Sequence, residues 1–381
     1  MEFNLTREQE AVRRMVREFA EREIAPIAAE IDETCAFPDK TVRRMGELGL
    51  MGMTIPPEYG GAGIDDVSYA MAVEEISRVC ASHGVTMSVH NSLVCWPILK
   101  YGTEEQKKKY LPSLATGKTL GCFALTEPSA GTDAGSQRTT AVRNGDHYVL
   151  NGSKIFITNG GKSGVMIVFA LTDPSKGARG ISAFIVEPTF SGFEVGTIES
   201  KMGIRGSIQA ELVFDNCIVP KENLLGAENR GFSLALSTLD GGRIGIASQA
   251  LGIAQAALDA SVKYAKEREQ FGQPLAKFQA IQWMLADMAT DIEAARLLLY
   301  RAAYERWKGR RYSVPAAMAK LFASDVAVRA TRNAVQIHGG YGYTKDYPVE
   351  RLYRDAKITE IYEGTTEVQK MVIAGELLKT G

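Results

Sequence analysis

Thr139-Thr140-Ala141-Val142-Arg143-Asn144-Gly145-Asp146-His147-Tyr148-Val149-Leu150-Asn151-Gly152-Ser153-Lys154-Ile155-Phe156-Ile157-Thr158-Asn159-Gly160-Gly161 is the stretch on which the fold turns. Its short runs of β-branched and aromatic residues are cut by Asn-Gly pairs beginning at 144, 151 and 159, the chemistry of turns between paired strands. Runs of the same kind at Leu120–Leu125, Val165–Leu171, Ile181–Val186 and Ala210–Val213 extend the pattern on both sides. Together they predict a compact antiparallel sheet, a barrel or sandwich, over residues 121–227.

Outward from that sheet the period changes. Residues 1–120 carry apolar positions at helical spacing through 6–30, 40–50, 66–80, 85–101 and 104–115, interrupted at Pro38, Pro56-Pro57, Gly60-Gly61 and Pro112. Thr6 opens the first of these helices, with Val12, Met15, Val16 and Phe19 on one face. Residues 228–381 are helical again, with long helices expected near 231–267, 278–308, 314–338 and 365–379, which suggests a four-helix bundle. The expected fold is therefore mixed α and β: an N-terminal helical domain (1–120), a middle β domain (121–227) and a C-terminal helical bundle (228–381). The glycines at 339–342 follow a helix, not a strand, so they are not a dinucleotide-binding fingerprint.

Composition excludes several classes of partner. With 44 basic and 45 acidic side chains the net charge is −1, so no global field favours nucleic acid or an anionic membrane. No apolar run is long enough to span a bilayer. Met1 to Gln9 has neither a signal-peptide core nor an Arg-rich presequence, and the expected location is cytoplasmic and bacterial. The five cysteines (Cys35, Cys80, Cys95, Cys122, Cys217) and four histidines are scattered without metal-ligand spacing, which reads as reduced thiols and no metal.

One stretch carries candidate chemistry. In Ile361-Tyr362-Glu363-Gly364-Thr365-Thr366-Glu367 a lone carboxylate sits between an aromatic ring and a glycine, just before a helix with Val368, Met371 and Val372 on its apolar face. Thr365 or Thr366 can cap that helix. A glutamate at such an entrance acts as a general base if its surroundings are dry; a solvated loop also carries such a residue, and the local pattern leaves both readings open.

Two longer motifs give the stretch its context. They are Ala124-Leu125-Thr126-Glu127-Pro128-Ser129-Ala130-Gly131-Thr132-Asp133-Ala134-Gly135-Ser136, and Gln336-x-x-Gly339-Gly340-x-Gly342-Tyr343-x-x-Asp346 continuing through Arg351 to Asp355. With these motifs, in this order and over its whole length, the chain resembles the acyl-CoA dehydrogenases, flavoproteins that desaturate acyl-CoA thioesters. The resemblance implies FAD as cofactor, with Glu363 removing the substrate α-proton while the β-hydrogen leaves as hydride to flavin N5. It implies that the Glu363 N–H bonds the thioester carbonyl and that burial raises the carboxyl pKa.

By the same resemblance, Phe123, Leu125 and Thr126, with Phe156, Ile157 and Thr158, line the flavin ring; many relatives have tryptophan where Phe156 stands. Thr132 falls at a contact to the CoA portion and is counted with the cofactor site as well. Asp240 and Arg243, with Tyr362 and Gly364, fall on the substrate side. Arg268, Phe271 and Gln279 match the set that reaches the adenosine diphosphate half of FAD, a cofactor that the family shares with a neighbouring subunit, and Gln336, Gly339 and Gly340 complete that set. Thr365 and Glu367 match cofactor contacts after the base. A homotetramer (dimer of dimers) and an electron-transferring flavoprotein as electron acceptor complete the implied picture.

Glycine at 242 with the glutamate at 363 follows the short- and medium-chain arrangement, and Thr238–Ala247 looks closest to short-chain (butyryl-CoA) enzymes. Trp96 either fills the base of the acyl pocket or packs between helices. A branched, cyclic or dicarboxylic acyl-CoA, and an oxygen-reactive acyl-CoA oxidase, are the alternatives.

Overall fold

A computed structural model describes residues 4–379; Met1–Phe3 of the stretch read for a targeting segment, and Thr380-Gly381 at the end of the last domain, lie outside it. Thr6 caps α1 (Arg7–Phe19) by accepting from Gln9 N while Gln9 reaches back, a complete capping box. The segment expected as one helix from 6 to 30 is interrupted: a wide π turn at Ala20–Ile24 and a 3-10 turn at Ala25–Ile27 lead into α2 (Ala28–Thr34). The segment 85–101 breaks likewise, into α5 (Ala81–Val89), a π turn at His90–Cys95 and α6 (Trp96–Tyr101), after α3 (Asp39–Glu47) and α4 (Asp66–Val79). Pro26 and Pro97 stand just beyond the two π turns, and neither has an N–H to continue the α ladder. The N-terminal helices end with α7 (Glu104–Ala115).

The sheet comprises β1 (Leu120–Ala124), β2 (Thr140–Asn144), β3 (His147–Thr158), β4 (Ser163–Leu171), β5 (Ile181–Val186), β6 (Phe193–Ile198), β7 (Gln209–Pro220) and β8 (Leu224–Leu225). The strand order is β6-β7-β3-β2-β4-β5-β8, with β1 beside β4. Most pairs are antiparallel, but β1 runs parallel to β4, with Phe123 opposite Ile167, and β2 touches β4 in parallel at Thr140 and Leu171.

Of the three Asn-Gly sites, the first makes the expected hairpin, Asn144 pairing with His147 around Gly145 at φ +62°. The second does not turn the chain. β3 continues through Asn151-Gly152, where its register against β7 slips between Leu150 and Gly152. A Cβ at Gly152 would stand 2.5 Å from Thr139 Oγ1, so the glycine serves a bulge rather than a turn. The third leads into β4, which pairs with β5 and β1 instead of folding back on β3. β6 escaped the sequence reading because nearly all of it is exposed and its apolar alternation, Phe193 and Val195, is too short to mark a strand.

Beyond the sheet come α8 (Gly231–Glu267), a hairpin of β9 (Glu269–Gln270) and β10 (Gln273–Pro274), α9 (Gln279–Trp307), α10 (Ser313–His338), α11 (Val349–Lys357) and α12 (Thr366–Leu377). The expected bundle thus has three long helices and two shorter ones. α8 packs against α10, α9, α4 and α5. Its glycines permit this: a Cβ at Gly252 would meet Glu74 O at 2.3 Å, and one at Gly245 would meet Ser88 Oγ at 2.0 Å. One apolar core accordingly runs through both helical regions and the sheet, from Val85 and Val94 through Phe123 and Ile167 to Leu251, Leu299 and Ala327. Among the described residues no helix is long and apolar enough to cross a membrane, and no cluster of His, Cys, Asp and Glu is placed to hold a metal ion.

Candidate active site

Glu363 sits in the turn between α11 and α12 in the left-handed backbone region, φ +51°, and Gly364 follows at φ +95°. A Cβ on Gly364 would lie 2.6 Å from Gln369 Nε2, so both backbone conformation and space demand glycine there. The turn swings the carboxylate onto α8. A Cβ at Gly242 would stand 2.0 Å from Glu363 Oε2 and 2.8 Å from Leu93 Cδ2. The absent side chain at 242 is what admits the carboxylate, and Leu93 from the second π turn closes the other side.

Both carboxylate oxygens are inaccessible and have no hydrogen-bond partner among the described residues. Burial pushes the Glu363 carboxyl up from 4.5 to about 8, and the charges of Lys320 and Arg243 only partly offset it. Arg243 is itself buried, which lowers its pKa, and its Nη1 donates to Asp240 Oδ1 at 2.5 Å. Ser313 donates to the other Asp240 oxygen, so that carboxylate is engaged on both sides. The Tyr362 hydroxyl donates to Gln249 Oε1 on α8, and burial raises its pKa well above the ordinary value. A dry, unpartnered carboxylate with cations near it but not bonded to it has the properties of a general base.

The two segments matched to the flavin ring come together. Ile155 N donates to Thr126 O at 2.9 Å, joining the end of the β1 segment to β3 beside Phe156. Phe123, Leu125 and Ile157 are buried, whereas the Phe156 ring is 59% exposed and held outward at φ +59°. The Thr158 hydroxyl accepts from Gln209 Nε2 at 3.1 Å. Thr132 is exposed on the loop between β1 and β2. That loop is pinned by a feature the motif reading passed over, the wholly buried Lys154. Its Nζ donates to Glu127 Oε1 at 2.7 Å, Gln137 Oε1 at 3.0 Å and Leu125 O at 3.3 Å. Glu127 also accepts from Arg138 N and Thr139 N. A lysine at an inward position of a strand was the available signal.

A second group gathers where α8 ends and α9 begins. Arg268 lies over the Tyr341 ring at 5.7 Å, tying it to the turn that contains Gly339 and Gly340, and the Phe271 ring stands edge-on to Phe278, beside Gln279. Phe271 is 94% exposed; Arg268, Gln279, Gln336, Gly339 and Gly340 are exposed too. Neither Gly339 nor Gly340 has an atom within 4 Å of where a Cβ would be. No hydrogen bond or ring contact among the described residues links this group to Glu363. Thr365 caps α12, its Oγ1 accepting from Val368 N at 3.4 Å, and Glu367 is exposed in the first turn. Trp96 lies edge-on to Tyr101 with Arg306 over its ring at 5.2 Å, and Leu93 reaches Gly242. In the second motif, buried Asp355 accepts from Ile204 N at 2.5 Å, so that end of the motif ties α11 to the sheet domain.

Three family models match in succession. They are described as acyl-CoA dehydrogenase, N-terminal domain (residues 6–118), middle domain (122–217) and C-terminal domain (229–378). The short-chain specific acyl-CoA dehydrogenase of Clostridium acetobutylicum is 60% identical over 379 residues, covering all of both chains. The butyryl-CoA dehydrogenase structure from Megasphaera elsdenii superposes with a TM-score of 0.98 at 52% identity, and covers all of both chains. A chain in a structure described as the electron transferring flavoprotein of Acidaminococcus fermentans, concerning flavin-based electron bifurcation, superposes with a TM-score of 0.99 at 57% identity, again with full coverage of both.

Proposed function

The chain belongs to the acyl-CoA dehydrogenase family, and from that premise we propose that it desaturates a short-chain acyl-CoA between Cα and Cβ, with Glu363 as the base. The observation that carries the assignment is the unpartnered, buried Glu363 carboxylate held against Gly242. The α-proton passes to a Glu363 oxygen, leaving an enolate whose charge gathers on the thioester oxygen. The N–H of Glu363 is assigned the role of donor to that oxygen, where stabilisation counts most in the transition state. Arg243 and Asp240 hold each other, and Arg243 keeps a buried positive charge beside the base.

The cofactor is FAD, and the residues present fit it. An aromatic face at Phe156 stands open to stack on a planar ring, Thr126 and Thr158 border it, and exposed Arg268 with the uncrowded Gly339 and Gly340 suits a pyrophosphate. When bound, FAD supplies the hydride acceptor at the β-carbon. Phe123, Leu125 and Ile157 are assigned to the ring side, Phe271, Gln279, Gln336, Thr365 and Glu367 to the remaining cofactor contacts, and Thr132, Tyr362 and Gly364 to the substrate.

Domain boundaries at 120/121 and 227/228 belong to the same proposal, as do a bacterial cytoplasmic location, a homotetramer and electron-transferring flavoprotein as acceptor. The short-chain preference is supported by the relatives named above and by Leu93 crowding the space beside Gly242. Anaerobic mixing of the FAD-loaded protein with straight acyl-CoAs of increasing length tests it. Bleaching of the flavin is expected to be fastest with four to six carbons, about the length a small pocket takes, and slow at twelve. Bleaching fastest with the longest chain would overturn the preference, and none with any thioester would overturn the activity.

A further inference from the structure

A non-glycine residue in the left-handed region persists only where its surroundings over-determine it. Glu363 is such a residue, at φ +51°; Gly364 follows it at φ +95°, and two buried side chains grip the carbonyls of this pair. Lys320 Nζ, from α10, donates to Gly364 O at 2.7 Å. Gln369 Nε2, from α12, donates to Gly364 O at 2.8 Å and to Glu363 O at 3.3 Å. Both side chains are wholly buried. A fully buried lysine is normally ion-paired, yet no carboxylate among the described residues lies within ion-pair distance of this one. The charged groups it faces are Glu363 and Glu360 in the turn after α11, Arg243 on α8 and Glu367 on α12.

We propose that Lys320 is a positioning residue for the Glu363 carboxylate: anchored on the Gly364 carbonyl, its ammonium stands beside the base without bonding it, and with Gln369 it keeps that carboxylate turned toward Gly242. The charge favours the ionised base, and the missing direct bond leaves the carboxylate oxygens free for a substrate proton. Burial also lowers the Lys320 amine to about 8, the range to which burial lifts Glu363, so each group resists the charge that the other favours. The proposal rests on the assignment of Glu363 as base.

The test uses the FAD-loaded enzyme with Lys320→Met, Lys320→Gln and Gln369→Leu, and two readouts. One is the pH midpoint of the Glu363 carboxyl by infrared difference spectroscopy, its band identified by its loss in Glu363→Gln. The other is the pH profile of anaerobic flavin reduction by butyryl-CoA. Removing an opposite charge near a carboxyl should raise its midpoint by about one pH unit or more, so both Lys320 variants should show that rise, with the acid limb of the reduction rate moving up alongside. Gln369→Leu should slow reduction with the midpoint unmoved. A folded, FAD-replete Lys320→Met or Lys320→Gln enzyme with the wild-type midpoint would overturn the proposal, because a merely structural lysine has no effect on that titration. Reduction at the wild-type rate in Glu363→Gln would sink the base assignment alone, and the infrared midpoint would still report the coupling to Lys320.

Discussion

Replacing Glu363 with glutamine should make the protein more stable as the pH rises, relative to the wild type. The folded carboxyl titrates near 8 against 4.5 for an ordinary one, because burial disfavours its charge. The unfolded chain therefore binds fewer protons than the folded chain between those values, and wild-type stability falls as pH rises through that window. From pH 5 to pH 8 the linkage integral for this single group is about 3–4 kcal/mol. Glutamine fills nearly the same volume and does not titrate, so this term vanishes. An unfolding entropy of about 2.1 cal/mol/K per residue converts the difference to about 4 °C of melting temperature. The assay is calorimetric melting of both proteins, FAD-loaded, at half-unit pH intervals. The gap between mutant and wild type should be small near pH 5 and widen steadily to pH 8. A gap that stays constant across that range would refute the reasoning, since it would mean Glu363 ionises in the folded protein as readily as in the unfolded one.

Three further outcomes are expected. Gly242→Ala places a methyl 2.0 Å from Glu363 Oε2 and should cost about 1–3 kcal/mol of stability together with most flavin reduction; unimpaired turnover would show the carboxylate is not held there. Lys154→Met leaves the buried Glu127 carboxylate without its cation and should destabilise by about 3–5 kcal/mol, read as a lowered melting temperature with loss of bound FAD. Arg268→Ala should weaken FAD binding by about 1.5–3 kcal/mol while leaving the cofactor-saturated reduction rate nearly unchanged, and equal FAD affinity in mutant and parent would remove Arg268 from the cofactor site.

Helix limits were legible where caps and apolar periodicity agree, as at Thr6 for α1. They were not legible at the two π turns, where no glycine breaks the helical run and the sequence offers only the prolines just beyond, Pro26 and Pro97. Asn151-Gly152 misled for a different reason. The same dipeptide that closes a hairpin at 144–145 serves a bulge at 151–152, and only the partner strand β7 distinguishes the two. At the site, Glu363 and Gly364 were readable as a motif, and glycine at 242 was noted in its own motif. That these residues meet could not be read, since their contact depends on α8 and the 363 turn packing across more than a hundred residues of chain. Lys320 and Gln369 were invisible for the same reason: each sits on a helix face whose neighbours only the tertiary packing supplies.

The central claim, that Glu363 takes the α-proton, is tested most directly by anaerobic rapid mixing of FAD-replete Glu363→Gln with butyryl-CoA, following the loss of flavin absorbance. Removing a general base costs a factor of about 10² to 10⁴. Here the upper end is expected, because the neighbouring carboxylate, Asp240, is engaged by Arg243 and Ser313. The account predicts that the mutant keeps its FAD, still binds the thioester and bleaches at least about a thousandfold more slowly than wild type. Bleaching at the wild-type rate would contradict it.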